Sequence, residues 1–234
     1  MINKKFDYIQ FGRSTENGVR HYVTDSGERL PSVTTILDAT KTEESRQALQ
    51  NWRNRVGHDR AQAITTEAAN RGTRMHTYLE RKILNDDVGP VPSNPFAQPS
   101  WLMAHALVES SFHKVDEFWG TEIPLYYSGL YAGTTDCIGV WQGEPAIIDF
   151  KQSNRVKKRE WIEDYFLQLS AYALAHDQMY GTTIDRGVIL MCVKPVDDNS
   201  APEPLEFEVG GAEFARWKER WWDRVEQYYS QIHK

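Results

Sequence analysis

A short stretch of the chain, Gly133–Lys151, holds three residues whose types and spacing could do chemistry: Asp136, Asp149 and Lys151. Two apolar, β-rich runs flank the segment Gln142-Gly143-Glu144-Pro145, whose glycine and proline favour a turn. The stretch is therefore predicted to form a β-hairpin. Because strand side chains alternate between faces, Asp149 and Lys151 are expected to point the same way.

The register of this hairpin decides whether its two carboxylates meet. A two-residue turn at Gln142-Gly143 places Asp136 directly opposite Asp149. Opposed side chains lie about 5 Å apart at Cβ, and two like charges at that distance destabilise a sheet. A divalent cation between them would remove that cost, so with Lys151 the trio outlines a site for metal-dependent phosphodiester hydrolysis. A surface ion pair between Asp149 and Lys151, or a one-residue slip of the register, is the alternative.

Two predicted helices carry further candidates. His76 and Glu80 are four residues apart and share one helix face. An imidazole added to carboxylates gives a mixed ligand set that suits Mn²⁺ and similar ions, and a histidine hydrogen-bonded to Glu80 inside a packing layer is the plainer alternative. Gln168 and Tyr172 are also four apart, and for them the plainer alternative is an ordinary polar pair on an amphipathic helix.

Taken together, these residues resemble the PD-(D/E)XK nuclease superfamily, and within it the RecB-like exonuclease branch. The residues that carry the resemblance are, in chain order, Gly72-Thr73, His76, Glu80, Gly133-Thr134-Thr135-Asp136, Asp149-Phe150-Lys151, Gln168 and Tyr172. The run from Arg20 to Leu37 looks like that of the mitochondrial genome maintenance exonucleases and their phage relatives. The first acid follows threonine where this branch commonly has proline, and the second is Asp149 where glutamate is also common. The resemblance covers the chain from about Arg20 to Met191.

The resemblance implies an α/β fold with a restriction-endonuclease-like αβββαβ core, which is a mixed central sheet flanked by helices. An N-terminal hairpin and helices and a C-terminal helix are expected to be added to this core. It implies a metal-dependent DNA exonuclease, acting on single-stranded DNA from a free end, in phage or bacterial recombination, repair or degradation. A catalytically silent nucleic-acid-binding module, an endonuclease and a metal hydrolase of small molecules are the alternatives.

The resemblance also implies roles for the site residues. His76, Asp136, Asp149 and the backbone carbonyl of Phe150 would bind one or two Mg²⁺ or Mn²⁺ ions, and Lys151 would orient water or stabilise the transition state. A supporting group is predicted as well: Glu80, Glu122, Gln168 and Tyr172. The two glutamates could be outer-shell partners or a second metal site, and both options stay open.

The charge of the chain is unevenly distributed. There are 27 basic and 33 acidic residues, and the net charge of −6 argues against a protein that binds nucleic acid over its whole surface. Basic residues nevertheless lie beside the motifs, where they could follow a phosphate backbone. The six predicted DNA contacts are Arg71, Arg74, Arg155, Lys157, Lys158 and Arg159. A solvated charge run is the alternative.

Cysteine content and hydropathy limit the class further. Only two cysteines are present, Cys137 and Cys192, and each lies in an apolar run. An iron–sulfur cluster needs four thiolates, so no cluster is expected and both cysteines are predicted to be buried. No signal peptide or membrane-spanning run is recognised, which favours the cytoplasm of a bacterium, or of the host for a phage protein. The predicted partners are DNA and recombination or replication proteins, with no membrane and with the oligomeric state open.

The same patterns predict the elements and the domain organisation. A single domain, 1–234, is expected, with an accessory region 1–60, a catalytic core 61–194 and a C-terminal part 195–234. The predicted elements are a hairpin (Tyr8–Phe11 with Arg20–Thr24), helices Ser45–Gly57, Thr66–Leu84, Trp101–Trp119 and Glu160–Tyr180, strands Thr121–Tyr127, Arg186–Lys194 and Leu205–Val209, and an irregular loop Asp86–Ser100. A last helix carries the stripe Phe214, Trp217, Trp221, Val225, Tyr228 and Ile232, for which core packing is favoured over base stacking.

Overall fold

The structure, a computed structural model, describes residues 2–16, 19–197 and 200–232. The elements are, in chain order, β1 (Gly12–Glu16), β2 (Val19–Val23), β3 (Arg29–Pro31), α1 (Val33–Ala39), α2 (Glu43–Val56), α3 (His58–Ile83), α4 (Gln98–Ser111), β4 (Val115–Tyr127), β5 (Tyr131–Trp141), β6 (Glu144–Ser153), α5 (Glu163–Tyr180), β7 (Arg186–Val193), β8 (Glu203–Gly210) and α6 (Gly211–Ile232). From α3 onward the order contains the αβββαβ core, which confirms the predicted fold class.

The main sheet has five strands in the order β4-β5-β6-β7-β8. Strands β6 and β7 are parallel and are joined by α5, whereas the other neighbours are antiparallel. One hydrophobic cluster unites the sheet with α1, α5 and α6, and a second unites it with α3 and α4. Strand β6 serves both, since Ile147 belongs to the first cluster while Ile148 and Phe150 belong to the second. Such burial on both faces explains the apolar run Ala146–Ile148 in β6.

The hairpin predicted within Gly133–Lys151 forms with the predicted register. Gln142 and Gly143 have φ values of 47° and 86°, and positive φ at both central residues is typical of a type I′ turn. The ladder runs from Trp141 opposite Glu144 to Cys137 opposite Ile148. The next residues along the two strands are Asp136 and Asp149.

A second, three-stranded sheet of β1, β2 and β3 lies against β5. Tyr22 and Leu30 pack on Ala132, and Ser32 bridges to the same alanine. Ser32 then begins α1 as its N-cap, since its hydroxyl accepts a hydrogen bond from the Thr35 N–H at 3.0 Å. The small sheet is thereby fixed beside the start of the acidic motif in β5.

Several predicted elements differ from the observed ones in their bounds, two of them substantially. The first strand of the N-terminal hairpin is Gly12–Glu16 rather than Tyr8–Phe11, because Phe6 and Tyr8 instead pack their rings on His176 and Tyr180 of α5. The predicted helix Trp101–Trp119 ends at Ser111, and β4 begins at Val115 after one 3₁₀ turn.

The reason for the second error lies in the side chains of Phe118 and Trp119. They belong to opposite cores of the sheet, which is the alternation of a strand buried on both faces. A continuous apolar run of this kind cannot be told from a buried helix by periodicity alone. Helix α3 also begins earlier than predicted, at His58.

The C-terminal helix packs as the core alternative predicts. Phe214, Trp221 and Val225 of α6 are buried, whereas Ile232 is 57% exposed. Cys137 and Cys192 are buried in β5 and β7, and burial raises the pKa of the Cys192 thiol to about 12. Within 2–16, 19–197 and 200–232, no helix combines the length and the hydropathy that a bilayer crossing requires.

Candidate active site

Three neighbouring strands bring three carboxylates into one row across the main sheet. Thr121 lies opposite Cys137 and Ile123 opposite Thr135, so Glu122 of β4 lies opposite Asp136 of β5. The register of the hairpin then continues the row to Asp149 of β6. Adjacent strands are about 4.8 Å apart, so the sheet itself sets the spacing of the three acids.

The backbone at Glu122 is unusual. Its φ of 52° lies in the left-handed region, which a non-glycine residue in a strand seldom adopts. A conformation of this kind costs about 1–3 kcal/mol, and it persists where the surrounding structure enforces it, as functional sites often do. This unusual backbone conformation occurs at the residue that lies opposite Asp136.

Helix α3 adds a histidine to this row. Met75, Leu79 and Ile83 are buried in the core and fix the inner face of the helix. His76 therefore faces the end of the carboxylate row, where its Nδ1 lies 3.4 Å from Oδ1 of Asp136. His76, Glu122 and Asp136 each offer a ligand atom within 4.8 Å of the others, so this group could hold a metal ion.

Asp149 is the most buried acid of the site. Its exposed fraction is 1%, and the Lys151 Nζ lies 2.5 Å from its Oδ2. Apart from Lys151, no donor in the described residues satisfies either carboxylate oxygen. Burying a carboxylate is costly unless its lone pairs are used, so the free lone pairs fit a cation. Oδ2 of the neighbouring Asp136 accepts a hydrogen bond from the Phe150 N–H at 2.7 Å.

Burial is the main reason why the pKa values of Glu122 and Asp149 are raised. Burial and the nearby Asp136 raise the pKa of Glu122 to about 7, and burial raises the pKa of Asp149 to about 6 against the opposing effect of Lys151. Burial also opposes ionisation of Asp136, but His76 and Lys151 outweigh it and lower the pKa of Asp136. The carboxylates in turn raise the pKa of His76 and of Lys151 against the effect of burial. A divalent cation would relieve this repulsion.

The row opens into a cleft of about 760 Å³. The predicted site residues that line it are His76, Glu80, Glu122, Asp136, Lys151, Gln168 and Tyr172. Asp149 and Phe150 lie beneath its floor, since their exposed fractions are 1% and 2%. The structure therefore brings together all the residues predicted as catalytic or supporting.

Helix α5 supports the cleft through close packing. The Gln168 Nε2 donates to the Tyr172 hydroxyl at 3.2 Å. A Cβ placed on Gly133 would lie 2.6 Å from Cε1 of Tyr172, so only glycine allows this approach. The contact explains why the acidic motif in β5 begins with glycine.

The small sheet supplies residues that the sequence analysis missed. Arg13 of β1 and Tyr22 of β2 line the same cleft as the acids, and the Tyr22 hydroxyl lies 3.0 Å from Oγ1 of Thr134. No local signal marked either of them. The position of Glu122, in contrast, could have been found by counting back along both strands from the turn between Tyr127 and Tyr131.

Arg71 requires a correction, because its predicted contact with DNA needs an exposed side chain. Its exposed fraction is 2%. The guanidinium donates to Oε1 of Gln152 at 2.8 and 3.1 Å and also reaches Asn154 and Glu67. Arg71 therefore holds the segment that follows Lys151.

The other predicted DNA contacts differ in whether their charge is paired. Arg74 donates to the Phe96 carbonyl at 2.9 Å, which anchors the irregular loop before α4, and Arg159 pairs with Glu213 at 2.7 Å. Lys158 lies 3.9 Å from Glu160 on the surface. The remaining two, Arg155 and Lys157, form no ion pair with a described residue.

The core has the αβββαβ order. It carries acids on adjacent strands, a lysine beside the last acid and a histidine from the preceding helix, which is the arrangement that the nuclease resemblance implies. The chain is 28% identical over 204 residues to the mitochondrial genome maintenance exonuclease 1 of Homo sapiens, and the matched region is 80% of this chain and 56% of the human protein. The protein of the same name from Xenopus tropicalis is 27% identical over 209 residues, 85% of this chain and 57% of that protein. The predicted resemblance to the mitochondrial genome maintenance exonucleases is confirmed.

The chain spans little more than half the length of these curated relatives. A solved structure of a presumed exonuclease from Eubacterium rectale is 12% identical, with a TM-score of 0.48 over 71% of this chain and 66% of that one. No protein-family profile matches the sequence.

Proposed function

We propose that this protein is a metal-dependent deoxyribonuclease that acts as an exonuclease on single-stranded DNA from a free end, in phage or bacterial DNA recombination, repair or degradation. One observation carries the proposal: the row Glu122, Asp136 and Asp149 meets His76 and Lys151 in a single cleft. The exonuclease names of the relatives agree with it.

The metal would be Mg²⁺ or Mn²⁺. His76, Glu122 and Asp136 have the placement to hold it, and the free lone pairs of Asp149 and the carbonyl of Phe150 would complete the ligand set. When bound, the ion supplies a lowered pKa for the attacking water and charge neutralisation at the phosphate. Glu122 thus has a larger proposed role than the supporting one suggested by the sequence.

The other residues would position the substrate. Lys151 is a compact point charge beside Asp149, and its ammonium would stabilise the negative charge that develops on the phosphate oxygens. Tyr172 and Gln168 would keep β5 and its acid in place through their contact with Gly133. Arg13, which also lines the cleft, would contact the DNA backbone.

The test is a time course with end-labelled linear and closed-circular single-stranded DNA. Each substrate is incubated with Mg²⁺, with Mn²⁺ and with EDTA, beside the variant Asp149→Asn. A matched control is Asp223→Asn, which makes the same change at an exposed position of α6. We expect the linear DNA, but not the circular DNA, to be degraded in the presence of metal. This activity should be absent in Asp149→Asn and retained in Asp223→Asn.

The other outcomes identify the alternatives. Cleavage of circles would make the protein an endonuclease. If neither form is cut while duplex DNA is, the single-strand preference is wrong. Binding of DNA without cleavage of any substrate, lost in Asp149→Asn, would favour a catalytically silent binding module.

A further inference from the structure

A second groove, of about 610 Å³, lies beside the catalytic cleft, between α2 and the segment that follows β6. Its lining consists of three cationic, three uncharged polar and four apolar or aromatic residues: Arg55, Arg155, Lys157, Gln152, Ser153, Asn154, Leu49, Trp52, Ile64 and Tyr165. None of the ten is acidic, although the chain as a whole carries a net charge of −6. The groove is thus a cationic region on an acidic protein.

The three cations of the groove are not neutralised. Among the residues that the structure describes, Arg55, Arg155 and Lys157 have no ion-pair partner. Burial, and after it the neighbouring Arg155, lower the pKa of Lys157. A polyanion in the groove would relieve their repulsion and release its own counterions.

Aromatic side chains lie among these charges. Helix α2 has no buried residue, and its apolar side, Leu49, Trp52 and Val56, is not covered by the core. Trp52 instead lines the groove together with Tyr165 of α5. Aromatic faces beside free cations suit unpaired bases on a phosphate backbone, whereas a duplex keeps its base faces stacked inside the helix.

The groove adjoins the catalytic cleft. Tyr165, which lines the groove, has its ring centroid 5.0 Å from Nζ of Lys151, which lines the cleft. Gln152, the next residue after Lys151, lines the groove and is held there by Arg71. If a nucleic-acid strand places one phosphate at Lys151, its neighbouring nucleotides can therefore lie in the groove.

We infer that this groove binds an unpaired nucleic-acid strand next to the phosphate that is cleaved. Its bases stack on Trp52 and Tyr165, and its phosphates contact Arg55, Arg155 and Lys157. The inference rests on the proposed nuclease function for the role of the strand, but binding in the groove is measurable without cleavage. It assigns accessory helix α2 to substrate binding.

The experiment measures the binding of a fluorescent oligothymidylate to the whole chain in EDTA by anisotropy. Variants Arg55→Glu and Trp52→Leu alter the groove, and Arg53→Glu is the matched control. Residues that are two apart in a helix point in directions about 200° apart, so Arg53 faces away from Arg55. Arg53 does not line the groove. Thermal melting verifies that each variant is folded.

We expect Kd to rise about tenfold or more in Arg55→Glu and about 5- to 100-fold in Trp52→Leu, the range of one stacked base. Arg53→Glu should stay within about twofold of the wild type. For Arg55→Ala with Lys157→Ala, the slope of log K against log salt should become shallower by about 1.4, since each phosphate contact on a single strand contributes about 0.7.

Equal weakening by Arg53→Glu and Arg55→Glu, or no weakening by any groove variant, would overturn the inference. So would a hairpin duplex that the same variants affect to the same extent as the single strand. If the groove binds the strand as expected but Mg²⁺ and Mn²⁺ give no cleavage, the proposed function fails while the groove stands. If the protein cleaves DNA but the groove variants bind the single strand as tightly as the wild type, the groove inference fails while the proposed function stands.

Discussion

The substitution Gly133→Ala tests how closely α5 must approach the acidic strand. A Cβ at this position would lie 2.6 Å from Cε1, 3.1 Å from the hydroxyl oxygen and 3.3 Å from Cζ of Tyr172. Non-bonded carbon atoms prefer about 3.5–4.0 Å, so the ring or the strand has to move by about 1 Å. Tyr172 has little room, because it is 3% exposed and its hydroxyl accepts a hydrogen bond from Gln168.

The size of the effect follows from this crowding. Overpacking of a filled core typically costs about 1–3 kcal/mol. For a chain of this length each kcal/mol lowers Tm by about 2–4 °C, so we expect Tm to fall by about 2–12 °C. If the strand moves instead of the ring, Asp136 moves with it, and a displacement of 1 Å reduces the rate of cleavage by about 100-fold.

Calorimetry and the DNA time course measure both effects. Gly12→Ala is the matched control, since a Cβ there meets nothing within 4 Å. Adding Tyr172→Leu to Gly133→Ala should restore part of the lost Tm, because the two sites are in contact and their effects are not additive. A Gly133→Ala protein that melts with the wild type, or a double variant whose losses simply add, would refute the reasoning.

Three further predictions concern single side chains. Burial lowers the pKa of His176 from 6.5 to about 4, so its contribution to stability is complete above pH 6.5 and is lost as the pH falls to 4. The loss should approach about 3 kcal/mol by chemical denaturation, at about 1.4 kcal/mol per pKa unit, and should be absent from the pH profile of His176→Gln. Lys151→Met should abolish cleavage but keep Mn²⁺ binding in calorimetric titration, and full activity would remove the lysine from the mechanism. Arg71→Lys loses the fork that holds Gln152 and Asn154, so unfolding free energy should fall by about 1–3 kcal/mol, with faster amide hydrogen exchange at both positions as the discriminating signal.

The part of the fold that local chemistry specifies was predictable. The turn at Gln142-Gly143 demands positive φ, and its length fixes the register that aligns Asp136 with Asp149. The strand Gly12–Glu16 was missed because its polar sequence has no strand pattern, and it forms only by pairing with β2. Strand β4 lost its first residues to a predicted helix because it is buried on both faces.

The candidate site was predictable to a similar extent. The alternation of β6 placed Asp149 with Lys151, and the helical spacing placed His76 and Glu80 on one face of α3. That this face reaches Asp136 is seen only in the structure. Arg71 misled because charge alone does not reveal burial, and its partners lie on a strand far along the chain. The groove beside α2 depends on tertiary contacts between elements distant in sequence, so no motif marked it. The chemical roles of all these residues stay predictions.

The position of Lys151, two residues after Asp149 on one strand, also bears on the order of events during folding. Strands β4, β5 and β6 follow one another through short turns, so they can pair early with little loss of chain entropy. His76 comes from a helix far upstream and must close a long loop to reach Asp136. The growing sheet therefore never has to bury Asp149 alone, since its counter-ion arrives with it. The linear order of the chain thus makes charge neutralisation a local event that precedes completion of the site.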